Sequence, residues 1–203
     1  AYEAAVAAAW DPDGAHDVSH LRRVWRAARA ILAEEPGADR EVVLAATWFH
    51  DVVNVRKDDP DRARASVRSA ELALRILPGL GFPADRLEAV RHAIEAHSFS
   101  AGIEPRTREA MIVQDADRLD ALGAIGLARC FHVGGLMGAS IYAPDDPLGT
   151  ARPLDDRRYS LDHLEVKLFP VAASMRTVPG RRIAAERAAW MRAFRDRLVD
   201  EAG

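Results

Sequence analysis

The chain has 203 residues, of which 49% are hydrophobic and 29% charged, and a formal net charge of −3. That length suffices for one domain with a substantial core, and the near balance of charge excludes a global field for nucleic acid or an anionic membrane. Cys130 is the one cysteine and so forms no internal disulfide; no apolar run reaches spanning length and no secretory signal is evident, which makes the cytoplasm the expected compartment.

Apolar residues recur at helical spacing along most of the chain, and no alternating β-branched run interrupts them. The reading is all-α, a single-domain helical bundle over 1–203. In chain order, residues 1–10 add a short leading helix, and longer helices are predicted over 19–35, 40–53, 61–77, 83–97, 106–123, 123–131, 161–176 and 180–202. Pro36-Gly37, Pro78-Gly79 and Pro179-Gly180 supply the punctuation between them. Residues 134–160 form the longest irregular stretch, with turn signals at Pro144-Asp145-Asp146-Pro147, Gly149 and Pro153-Leu154-Asp155-Asp156, and a loop of that length in a compact domain is often a lid or binding element.

Chemistry enters at His50-Asp51, which closes the apolar run from Val42 to Phe49. An imidazole and a carboxylate placed where helix packing ends are costly to bury unless they hold a cation or find full hydrogen-bond partners. The pair alone is a weak signal, because His16-Asp17 is a second such dipeptide in a turn-rich context, where Asp17 suits a helix cap. Further donors stand at separations natural for facing helices of a bundle, namely His20 beside Leu21 and Val24, and Asp117 within an apolar helix. Asp115 and Asp120 compete with Asp117, Asp120 lying near the same helical face. Imidazole with carboxylate suits Mn, Fe, Co, Ni, Zn or Mg more than calcium.

His20, His50-Asp51 and Asp117 together resemble the H...HD...D ligand set of the HD-domain phosphohydrolases. The likeness extends to Trp48-Phe49-His50-Asp51-Val52-Val53, to the stretch from Asp115 to Gly123, and to Lys167-Leu168 followed by Met175-Arg176-Thr177, a pattern similar to the small single-domain bacterial branch. The resemblance selects Asp117 over its neighbours and implies that His20, His50, Asp51 and Asp117 bind one divalent ion, Mn or Mg foremost. It also implies a catalytic role for His50, Asp51 and Asp117 through water made acidic on that ion. The implied activity is hydrolysis of a small phosphorylated metabolite. A nucleoside triphosphate split into monophosphate and pyrophosphate is the leading form.

Cationic groups must face the scissile phosphate. Arg23, Lys57 and Arg118 lie close in sequence to the ligands, with Lys57 in the polar connection Asn54-Val55-Arg56-Lys57-Asp58-Asp59-Pro60, and Lys167 is a further anchor. His92 and His97 are five residues apart, so a straight helix turns them about 140 degrees from each other and only one faces a given site. His97, at a helix end, is the expected pocket residue, for substrate phosphate, proton transfer or a second ion; an equal alternative is a terminal histidine bonded to carbonyls. Family members often place an acid soon after the histidine-aspartate pair, but Asn54 stands here, which leaves the general acid or base open among Asp120, Glu71 and His97. Cys130, His132 and His163 are read as structural.

Phosphomonoester or phosphodiester hydrolysis is the runner-up activity, and a metal-binding regulatory domain without catalysis is a third reading, against which the intact ligand set stands. The expected partner is a small phosphorylated molecule rather than a nucleic-acid polymer, since no basic stripe with interleaved aromatics is present. No membrane partner is expected, and a homodimer is left open.

Overall fold

A computed structural model describes residues 1–9, 18–53 and 64–203. Nine α-helices make up the described residues and no strand does, with one isolated bridge between Ser140 and Tyr159. They divide into two compact units, Ala1–Asp117 and Arg118–Gly203. Among the described residues no single helix is long and apolar enough to cross a membrane.

The N-terminal unit holds α1 (Tyr2–Ala9), α2 (Val18–Leu32), α3 (Arg40–Phe49), α4 (Ala65–Ile76), α5 (Leu87–His97) and most of α6 (Arg108–Asp120). Its centre is α3, which packs against α1, α2, α4 and α5 and therefore reads as apolar almost all round. Val42, Val43, Ala45, Ala46, Trp48 and Phe49 are all buried. The helix starts where Asp39 Oδ1 accepts the amides of Glu41 at 2.9 Å and Val42 at 3.2 Å, relieving two of the amides a helix start leaves unbonded. Leu21, Val24, Ala28 and Ile31 supply the buried stripe of α2. Small residues at the α4 and α5 contact, Ser66, Ser69, Ala70 and Ala73 facing Ala93 and Ala96, allow these two helices to approach closely.

The C-terminal unit contains α7 (Gly123–Leu136), a π-helical turn at Leu164–Leu168 that runs into α8 (Phe169–Ala173), and α9 (Val178–Ala202). Thr177 caps α9 by accepting the Gly180 amide at 3.0 Å. Gly123 adopts φ +74°, a left-handed conformation that few other residues adopt, and its amide donates to Met191 Sδ at 3.1 Å. The long loop is ordered around Asp162, 1% exposed, whose carboxylate takes both guanidinium nitrogens of Arg152 at 2.6 and 2.7 Å and the Asp155 amide at 2.7 Å.

The all-α reading agrees with the structure, while several boundaries move for local reasons. Helix α3 stops at Phe49 rather than continuing to residue 53, and Val52 N bonds Phe49 O in a turn instead. Residues 83–86 form a 3-10 turn at Ala84–Arg86 ahead of α5. Helix α7 continues to Leu136. The helix expected over 161–176 is broken into the π turn and α8: Pro170 has no amide for the α-helical bond, and Phe169 N reaches back to Leu164 O. The predicted end of the leading helix at residue 10, the predicted helix start over 61–63, the cap at Asp17, and Asn54 and Lys57 lie outside the described residues.

Asp39→Ala should lower stability by about 1 kcal/mol through loss of the α3 cap, read as a fall of roughly 2–4 °C in Tm. An unchanged Tm would show that the cap contributes nothing.

Candidate metal centre

Four side chains of the N-terminal unit converge. His20 is carried by the first turns of α2, His50 and Asp51 by the turn that ends α3, and Asp117 by α6. His20 Nε2 lies 3.3 Å from His50 Nε2, 3.5 Å from Asp117 Oδ1 and 3.9 Å from Asp51 Oδ2. His50 Nε2 lies 3.5 Å from Asp51 Oδ2 and 3.6 Å from Asp117 Oδ1. Both histidines are buried, whereas the carboxylates are partly open to solvent, 25% and 27% exposed as side chains.

The protons of this cluster indicate what it can hold. His50 Nδ1 donates to the Thr47 carbonyl at 2.8 Å, so the neutral ring turns a bare Nε2 toward the other three donors. The two Nε2 atoms stand 3.3 Å apart, close enough to share a proton or to face one ion. Burial alone would lower the pKa of His50, but Asp51, the hydrogen bond and charge of Asp117, and the Thr47 carbonyl outweigh it and push the pKa up to about 9. Burial would raise Asp117; the hydrogen bond to His50 and the charges of His50, His20 and His97 hold it below the usual carboxylate range instead. The cluster therefore demands a positive charge, which a proton or a divalent ion can supply. Ligand atoms about 2.1 Å from an ion lie about 3.0 Å apart at right angles and about 3.4 Å apart at tetrahedral angles. The separations that involve the two histidines, 3.3 to 3.9 Å, need only a slight contraction. Two imidazole nitrogens with two carboxylate oxygens fit a first-row divalent ion.

His97 ends α5 beside this cluster. Its Nδ1 donates to the Ile94 carbonyl at 2.6 Å, and its Nε2 lies 3.3 Å from Asp51 Oδ1, the carboxylate oxygen other than the one nearest His50. The two readings considered for His97, carbonyl partner and pocket residue, thus describe its two nitrogens. The donors fall into two trios that could each hold an ion, His20 with His50 and Asp117, and His50 with Asp51 and His97, which share His50. His92, turned away along the same helix, accepts the Arg106 amide at 2.9 Å.

The other sequence candidates are placed as follows. Arg23, one turn after His20, donates to Ser19 Oγ at 2.9 Å. In the C-terminal unit Arg118 donates to Ser174 Oγ at 3.0 Å, and Lys167 is exposed on the π turn, where neighbouring Glu165 pairs with Arg195 rather than with the lysine. Asp120 is buried and bonded to Arg129 at 3.1 Å. Glu71 is exposed on α4. Cys130 is half-buried, donates to the Ser160 carbonyl, and is pushed up to about 11 by burial and by Asp156, which makes it inert as a nucleophile. Sequence reasoning anticipated a carbonyl partner for His97 and missed the Thr47 carbonyl behind His50. Each stands three residues before a histidine that ends its helix, where carbonyls lack intrahelical donors.

The HD domain family model matches residues 17–122, which span every donor described. Bacillus subtilis YpgQ is 33% identical over 188 residues, 91% of this chain and 83% of that protein. An HD-superfamily hydrolase from Bacillus thuringiensis is similar in structure with a TM-score of 0.76 at 30% identity, covering 98% of this chain and 94% of that one. The crystal structure of YpgQ in complex with ADP is similar with a TM-score of 0.74 at 28% identity, covering 98% and 92%. The chain therefore belongs to the HD domain family of metal-dependent phosphohydrolases.

Proposed function

We propose that the chain hydrolyses a nucleoside triphosphate to monophosphate and pyrophosphate, with His20, His50, Asp51 and Asp117 holding the divalent ion, Mn or Mg foremost, and with 1–203 working as one domain. The convergence of His20, His50 and Asp117, with Asp51 beside both histidines, carries the reading, and the ADP complex of the similar YpgQ supports a nucleotide as the ligand. Relatives that match through both units support the single functional domain.

A bound divalent ion would supply Lewis acidity toward a phosphoryl oxygen and toward water. The protein's own contribution is positional. Thr47 fixes the His50 ring, and the paired carboxylates supply negative charge at a solvent-accessible edge where substrate can enter. His97, with Nδ1 committed to Ile94, offers Nε2 beside Asp51 Oδ1, so it is the proposed group for proton exchange with substrate or for a phosphate contact. Arg23 shares the unit with these donors and, with Lys57, is a proposed phosphate contact.

Release of phosphate and pyrophosphate should be measured over nucleoside triphosphates, monophosphates and diesters with Mn, Mg, Co and Ni. Pyrophosphate release that falls at least about a hundredfold in both His50→Ala and Asp51→Ala is expected. Phosphate release from monophosphates or cleavage of diesters would replace the substrate assignment, and turnover independent of metal would overturn the function.

Binding of Mn2+ should also displace a proton. Without an ion, His50 is held at about 9 by its acidic neighbours and is protonated at neutral pH. The ion needs the Nε2 lone pair, so binding at pH 7 should release about one proton, and affinity should strengthen as pH rises toward 9. Calorimetry in buffers of different ionisation enthalpy measures this directly; binding without proton release would contradict the His50 assignment.

A further inference from the structure

The last turn of a helix leaves its carbonyls without intrahelical donors, and the ends of α3 and α5 carry His50-Asp51 and His97. At the end of α5 three successive carbonyls are each taken by a side chain. Ile94 O accepts from His97 Nδ1 at 2.6 Å, Glu95 O from Ser66 Oγ at 3.1 Å, and Ala96 O from Gln114 Nε2 at 2.7 Å. Just beyond the end of α3, Ser69 Oγ accepts the Val53 amide at 3.1 Å and donates to the Val53 carbonyl at 3.4 Å. Ser66 and Ser69 are buried one turn apart on α4, and Gln114 is buried on α6 one turn before Asp117.

Gln114 separates a positioning role from a purely structural one. It is only 2% exposed, and its Oε1 has no hydrogen-bond partner among the described residues. A buried, half-satisfied amide is poorer for stability than an apolar side chain of similar volume. Its single well-made bond, to the carbonyl preceding His97, instead fixes α6 and Asp117 against the end of α5. Ion ligation tolerates displacements of only about 0.5 Å, so this registration matters to the centre.

We propose that Ser66, Ser69 and Gln114 are positioning residues of the metal centre, holding the backbone on either side of the donors so that Asp51, His97 and Asp117 keep their mutual geometry. This rests on the metal reading above. Calorimetric titration of Mn2+ and a thermal melt should be run on the native chain, Ser66→Ala, Ser69→Ala, Gln114→Met and the control Ile31→Val, a buried substitution on α2. Each of the three should weaken Mn2+ binding roughly 10- to 100-fold, with Gln114→Met melting at or above the native temperature. The control should melt lower and bind Mn2+ as the native chain does. Native affinity in the three folded variants overturns the inference while leaving the metal reading intact. Affinity that falls with Tm in the control as well assigns the effect to general destabilisation and also overturns it. So does a Gln114→Met chain that fails to fold, because the inference requires the amide to be dispensable for stability. A native chain that does not bind Mn2+ overturns the metal reading and this inference with it.

Discussion

Two buried imidazole nitrogens at 3.3 Å, faced by two carboxylates within 3.9 Å, form an arrangement in the N-terminal unit that favours a positive charge at its centre. Without an ion, a proton on His50 meets that demand, which is why His50 is pushed up to about 9 although it is wholly buried. In the proposed function a divalent ion would take the place of that proton, with the same donors as its ligands. Much of the surrounding architecture keeps these groups in place against their mutual repulsion and the cost of desolvation.

Helix ends are the means of doing so. Both His50 and His97 stand at the C-terminal end of a helix and use Nδ1 to satisfy the carbonyl three residues back, which turns Nε2 inward. One bond thus serves two needs, completing a buried helix-end carbonyl and selecting the tautomer that ligation or proton exchange requires. The irregular turn after α3 then frees the Asp51 carboxylate to face His20 and His50 with one oxygen and His97 with the other.

The helical class was legible because amphipathic spacing and the Pro-Gly stops are local signals, and α3 stood out by its continuous apolar run. Its end was not legible, since the His50 ring competes for Thr47 O in a way no propensity records. The π turn at Leu164–Leu168 follows from Pro170, whose position was visible but whose outcome depends on whether a wider bond can form behind it. In the site, helical angle separated His92 from His97 and the helix end favoured His97, while its contact with Asp51 Oδ1 depends on packing that no local signal carries. Asp117 could not be told from Asp120 by spacing; the Arg129 partner that claims Asp120 appears only in three dimensions. Ser66, Ser69 and Gln114 carried no motif, because bonds to distant carbonyls leave no periodic trace.

The most direct measurement is a crystal structure of the chain soaked with Mn2+, with the ion located by anomalous scattering. A peak about 2.0–2.3 Å from His20 Nε2, His50 Nε2, an Asp51 oxygen and an Asp117 oxygen is the expected result. A peak bonded elsewhere, or none at saturating Mn2+, would contradict the assignment of these four residues as the metal centre.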